Sequence, residues 1–381
     1  MRNSTRGDVD PFIVMDVMEA ARRAEAEGRH IIHMEVGQPG TGAPKLALER
    51  LAADMENEPL GYTVALGLPD LRTRIATFYR ENYGVEICAD RIVITAGASG
   101  AFLLAFTALF DTGARVGLGE PCYPSYRQIL RSLDMQPVGI VTDMASRFQP
   151  RPDDVANEAL DGLIVASPAN PTGTMLSRDE LAALAAVCAE SGTSFISDEI
   201  YHGIGDTRPV TALEVTDDVF VINSFSKYFS MTGWRVGWMV VPQDQVRRVE
   251  RIAQNMFICP SHAAQKLALY AMDCNDETAT NAEVFNENRK LMLDGLPKAG
   301  FDKFAPPDGA FYVYVDVSDY TDDSLLFSRE ILDGAGVAVT PGLDFDPGRG
   351  RHWLRFSYAR STEDIREGLD RLERFMAGRR R

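Results

Sequence analysis

The chain has 381 residues, with 39 Lys+Arg against 55 Asp+Glu and a formal net charge of −16. That acidic excess argues against a protein built to bind nucleic acid or an anionic membrane surface, and 45% hydrophobic with 25% charged residues excludes wholesale disorder. No segment reaches the roughly 18 consecutive apolar residues that a membrane span needs.

The length predicts two or three domains. An amphipathic stretch from Phe12 to Glu27, stopped by Gly28, predicts a helix, and the apolar run at Ile31, Ile32 and Met34 a short strand. From Arg91 onward short β-rich runs alternate with helical segments. The runs are Arg91–Thr95, Arg115–Gly119, Gln136–Val141, Gly162–Ala166, Ser194–Ser197, Val219–Asn223 and Arg235–Val241. Helix-period segments such as Ala101–Phe110 and Ser177–Glu190 lie between them. This alternation predicts an α/β domain around a mainly parallel seven-stranded sheet, over residues 46–285.

Beyond that the pattern changes. Asn281–Ala299 predicts a linking helix, followed by a strand (Phe311–Val315), a helix (Asp323–Ala335), two short strands (Val337–Thr340 and His352–Tyr358) and a last helix (Ser361–Met376). Residues 1–45 and 286–381 are therefore expected to form a second, smaller α+β domain.

The N-terminus lacks the apolar core of a secretory signal. Five scattered cysteines without a C-x-x-C pair point to reduced thiols and a cytoplasmic protein. Five histidines without a clustered ligand set predict no metal site. Six lysines stand beside 33 arginines. Five of the six have ordinary surface settings; Lys227 lies in SFSKYFSMTGWRVGW (Ser224–Trp238), directly after a predicted strand. A lysine amine in a setting that favours its neutral form condenses with carbonyls, although spacing alone leaves a structural role for Lys227 equally open.

Several segments could hold an anionic, heteroaromatic ligand, and each also has a plain structural reading. Ser224, Ser226 and Arg235 supply hydroxyls and paired guanidinium donors suited to phosphate. Asp198, after a predicted strand in SDEIY, either holds a proton on a heteroaromatic nitrogen or caps a helix. SPANPTG (Ser167–Gly173) is a fixed turn that either aims Asn170 inward or is simply a turn. TAGASGAF (Thr95–Phe102) opens a helix whose free N–H groups suit an anion, or is ordinarily capped.

Together with GYT (Gly61–Thr63), VGQP and WLRFSYA, these motifs strongly resemble the class I/II aminotransferases, fold type I pyridoxal-phosphate (PLP) enzymes of the aspartate aminotransferase superfamily. The resemblance runs from Val36 to the segment at Trp353. It implies that Lys227 forms the Schiff base with the cofactor and shuttles the Cα proton, and that Asp198 pairs with the pyridine nitrogen. Tyr201 and Asn170 would hydrogen-bond the phenolic oxygen and Tyr123 would stack on the ring. Ala98, Ser99, Ser224, Ser226 and Arg235 would form the phosphate cup, with Tyr62 reaching it from a partner subunit. Arg355 would clamp the substrate α-carboxylate, with Gly37 and Asn170 beside it.

Two positions depart from the family pattern: Gln38, where many relatives are acidic, and Asp346, where a glycine often follows the phenylalanine. The resemblance implies a homodimeric aminotransferase that moves an amino group between a small L-amino acid and a 2-keto acid by ping-pong kinetics. A β-lyase of the C–S lyase type is the alternative on the same residues. A non-catalytic, DNA-binding relative is disfavoured by the charge of −16.

Overall fold

All seven apolar runs become strands of one sheet in the computed structural model, which describes residues 3–377 and Arg379. After a two-residue strand β1 (Ile32–His33) they are β2 (Ile92–Thr95), β3 (Arg115–Glu120), β4 (Gln136–Val141), β5 (Gly162–Ala166), β6 (Ser194–Asp198), β7 (Phe220–Ser224) and β8 (Gly237–Val240). The order across the sheet is β2-β8-β7-β6-β5-β3-β4. Only β8 runs against its neighbours, β2 and β7; the pairs from β7 through to β4 are parallel.

The inner strands are mostly apolar because both faces are covered, whereas the edge strand β4 is largely exposed. Side chains alternate between the faces. Leu163, Val165, Val221 and Val240 enter one core, and Ile164, Ile196, Ile222 and Met239 enter the other. The crossover helix Arg178–Ser191 starts at a reciprocal Ser177–Glu180 capping box and stops at Gly192, whose φ of 70° suits glycine. The helix Gly97–Leu109 is apolar on most sides and packs inside the second core.

A second assembly follows, with β9 (Tyr312–Asp316), β10 (Val337–Ala338), β11 (Thr340–Pro341) and β12 (Trp353–Ser357). β12 pairs antiparallel with β11 on one side and β9 on the other. β10 pairs parallel with β1, which ties the start of the chain to its end. The expected strand Val337–Thr340 thus splits, its halves joining different partners. This assembly has its own core, where Phe311, Val313, Val315, Leu354 and Phe356 meet the helices Asn275–Lys298 and Thr362–Ala377. The linking helix begins six residues before its expected start at Asn281, because its first turns are polar and carry Asp276 and Glu277 at the positive end of the helix dipole.

Candidate active site

The C-terminal ends of β2, β3, β5, β6 and β7 share one edge of the sheet, the edge where ligands of open α/β sheets bind. Asp198 ends β6 and is buried. Alternation sends Glu199 elsewhere, to accept from the Thr211 hydroxyl (2.8 Å) and the Ala212 N–H (2.8 Å). The Asp198 carboxylate accepts from the Tyr126 hydroxyl and, at 3.0 Å, from the Ile200 N–H. Burial raises its pKa to about 6, against the opposing pull of Tyr126, Ile200 and Lys227.

Lys227 sits in the turn after β7 and donates from Nζ to the Gly37 carbonyl at 2.5 Å. Its pKa falls to about 8, first because of burial and then because the Arg355 and Arg235 cations lie near. A neutral, nucleophilic amine is therefore accessible close to physiological pH.

An anion cradle lies at the start of the helix Gly97–Leu109, which has no side-chain cap on its first N–H groups. Gly97 has a φ of 69°, and a Cβ there would lie 2.4 Å from Arg235 Nη2. Only hydrogen fits between that turn and the guanidinium. Arg235 itself adopts a positive φ of 51°, a strained conformation for a side-chain-bearing residue that holds it in place beside the helix start. The Ser224 hydroxyl lies 2.9 Å from that of Ser226 and 3.2 Å from the Val236 carbonyl.

Arg355 lies on the central strand β12 and is 3% exposed. Its Nη1 donates to Asn170 Oδ1 at 2.9 Å, and its Nη2 to the Glu35 carbonyl and the Thr340 hydroxyl. Nε is buried with no partner, and no carboxylate among the described residues pairs with this cation. The guanidinium carbon stands 4.4 Å from the Tyr312 ring centroid, and the Tyr312 hydroxyl is 2.8 Å from that of Tyr201.

These groups open on one cavity of about 390 Å³. Eleven of the thirteen expected site residues line it, all except Ser224 and Tyr62. Ser224 is buried behind Ser226, and Tyr62 stands on the surface, 83% exposed.

The family model for aminotransferase class I and II matches residues 29–372. The chain belongs to this family. It is 44% identical over 378 residues to the valine–pyruvate aminotransferase of Mycobacterium tuberculosis, covering 97% of each chain. It is 32% identical to the aspartate aminotransferase of Thermotoga maritima, over 96% of this chain and 97% of that one. A solved aminotransferase from Mycobacterium tuberculosis, also 44% identical, superposes with a TM-score of 0.97 over 99% of this chain and all of its own. A solved chain from Silicibacter pomeroyi, 65% identical, gives 0.95 with the same coverage.

The protein is therefore an aminotransferase of fold type I, and the lyase alternative is not favoured. The family implies pyridoxal phosphate. The sequence reading of this aminotransferase missed Tyr126, although it stands three residues after Tyr123 in the same segment and shares its helical face. It also missed Tyr312 and Thr340, which reach the site across long sequence separations and carry no local signal. The apolar residues Phe12, Val14 and Met18, read there as ordinary amphipathic helix, line the cavity. Of the two departures, Gln38 lines the cavity as well. Asp346 is a buried clasp: it accepts from Arg349 Nε at 2.8 Å, and Arg349 donates onward to the carbonyls of Glu120 and Thr142.

Proposed function

We propose that this aminotransferase holds pyridoxal phosphate in the described cavity and moves an amino group between a small L-amino acid and a 2-keto acid by a ping-pong route. The observation that carries this reading is the pairing, in one cavity, of a depressed lysine amine with a buried arginine that has no acidic partner. A buried guanidinium without a counter-charge is costly and calls for an anion from outside the chain. The donor set also fits the cofactor: an uncapped helix start beside Arg235 suits its phosphate, and a buried carboxylate, Asp198, suits a protonated ring nitrogen.

When bound, pyridoxal phosphate supplies an aldehyde and a conjugated electron sink. Ala98, Ser99, Ser226 and Arg235 would hold its phosphate, with Ser224 supporting Ser226 and Tyr62 of a second copy reaching the same group. Tyr123 would cover the ring, and Asn170 and Tyr201 would bond its phenolic oxygen. Asp198 keeps the ring-nitrogen proton in place. Arg355 orients the substrate by its carboxylate, beside the Gly37 backbone. Lys227, in its neutral form, takes the proton from the substrate Cα and returns it, so amine and acid roles fall to one side chain.

Domain bounds of 46–285 and of 1–45 with 286–381 are supported by the separate core of the smaller assembly. A homodimer is supported by the surface around Tyr62. Gly61 and Thr63 bond to His262 and Cys259, which brings the segment of the exposed Tyr62 and Val64 next to that of the exposed Ile258. All five cysteines are free, and no helix among the described residues is long and apolar enough to cross a membrane, which fits a cytoplasmic setting.

The test is a half-reaction. Cofactor-loaded protein given an amino acid and no keto acid is expected to release one equivalent of keto acid per site and stop. Continued release of keto acid with ammonia would contradict the proposal.

A further inference from the structure

The segment that leads into the first long helix lines the cavity and is fastened on both sides. On one side Asp10 accepts from Arg131 Nη1 (2.6 Å) and Gln128 Nε2 (3.2 Å), while its own N–H donates to Gln128 Oε1 (3.2 Å). These partners lie on the helix Pro124–Ser132, which also carries Ile129. On the other side the buried Asp344 carboxylate accepts from the Ile13 N–H (3.0 Å) and the Val14 N–H (3.2 Å), which caps the helix Ile13–Ala26 from beyond β11.

Phe12 between these fastenings, and Val14 and Met18 on the helix that follows, line the cavity together with Ile129. Phe12 meets Tyr123 edge to face at 5.9 Å between centroids. That contact sets the strap against the aromatic assigned to the cofactor ring. The cations lining the cavity are Lys227, Arg235 and Arg355, and all three have duties in the reading above. None is left among the described residues for a second carboxylate.

Resting on that reading, we infer that Phe12, Val14, Met18 and Ile129 form the subsite for the substrate side chain, and that the aminotransferase selects aliphatic amino acids over dicarboxylic ones. An apolar wall gains from each buried methylene of the substrate, typically 10- to 200-fold in discrimination for a single group. A distal carboxylate placed against it would lose its water and find no partner. The wall is preformed, because Asp10 and Asp344 fix it before substrate arrives, so little ordering is lost on binding.

The test compares leucine, valine, alanine, aspartate and glutamate as donors to the cofactor-loaded protein. It also measures Kd for two unreactive acids, 4-methylpentanoate and glutarate, by calorimetry. Leucine and valine are expected to exceed aspartate and glutamate in kcat/KM by about 100-fold, and 4-methylpentanoate is expected to bind tighter than glutarate. Met18→Ala and Ile129→Ala, both at part-exposed positions that the fold tolerates, are expected to lower kcat/KM for leucine about tenfold more than for alanine. Dicarboxylates as the better donors, as when a second copy of the chain brings a cation to the site, would overturn the inference and leave the aminotransferase reading standing. Equal losses for leucine and alanine in both variants would also overturn it. Conversion of none of the five donors would overturn both.

Discussion

The Tyr126 hydroxyl donates to the Asp198 carboxylate, and both side chains are buried. Burial raises the Asp198 pKa to about 6, and this donor is the largest force opposing the rise. A hydrogen bond to a charged group is worth about 1.5–3 kcal/mol, or about one to two pH units. Tyr126→Phe is therefore expected to leave Asp198 protonated at higher pH, where it no longer favours a ring-nitrogen proton. Equilibrium dialysis of the cofactor between pH 5 and 8 checks this. Affinity should fall away about one pH unit or more higher in the variant than in the parent; coincident profiles would contradict the role.

Lys227 predicts a stability effect with a definite sign. Its folded pKa is about 8, below the ordinary 10.5. Between those values the unfolded chain binds more protons than the folded one, so this group's contribution to stability improves as pH rises. Below about pH 8 both states carry the charge, and the folded state bears the full cost of burying it. In the cofactor-free protein Lys227→Met should thus be most favourable below pH 8, and less so toward pH 10.5. Loss of the bond to the Gly37 carbonyl costs the variant something at every pH, so the readout is the slope of the Tm difference against pH. A flat difference would contradict the buried cation.

Gly97→Ala should damage the anion cradle. The added Cβ would stand 2.4 Å from Arg235 Nη2, and the φ of 69° adds about 1–2 kcal/mol of strain for a side-chain-bearing residue. Cofactor affinity is expected to fall at least about tenfold, measured by dialysis at fixed pH. Unchanged affinity would show that Arg235 has another place to go.

Thr340 holds Arg355 from below: its hydroxyl donates to the Glu35 carbonyl at 2.8 Å and accepts from Arg355 Nη2 at 3.2 Å. Thr340→Val keeps the shape of a buried strand residue and removes both bonds. The expected result is a KM raised several-fold with kcat little changed, the mark of weakened uniform binding. A fall in kcat with KM unchanged would place Thr340 in the chemistry instead.

The frame of the fold was legible because its cause is local. A strand buried on both faces is apolar throughout, so Gly162–Ala166 stands in the structure within its expected bounds. Helices with mixed faces were harder: Lys45–Asn57 and Val246–Met256 were not delimited, and neither opens on a side-chain cap. In the site, residues within one motif were legible, among them Lys227 with Arg235 and Asp198 with Tyr201. Asn170 beside Arg355 was legible too, but its other supports were not: Glu35 and Thr340 meet it from separate segments, and only packing brings them together. The strap at Phe12–Met18 escaped for another reason: an apolar stripe facing a cavity has the same spacing as one facing a core.

The proposed chemistry turns on Lys227 as the amine that meets the cofactor. Reduction of the cofactor-loaded protein with borohydride, followed by peptide mass mapping, tests it directly. The expected result is one cofactor-derived mass per chain, on the peptide containing Lys227, and its loss in Lys227→Ala. Labelling at Lys45, Lys266, Lys290, Lys298 or Lys303 instead, or stoichiometric labelling that survives Lys227→Ala, would contradict it.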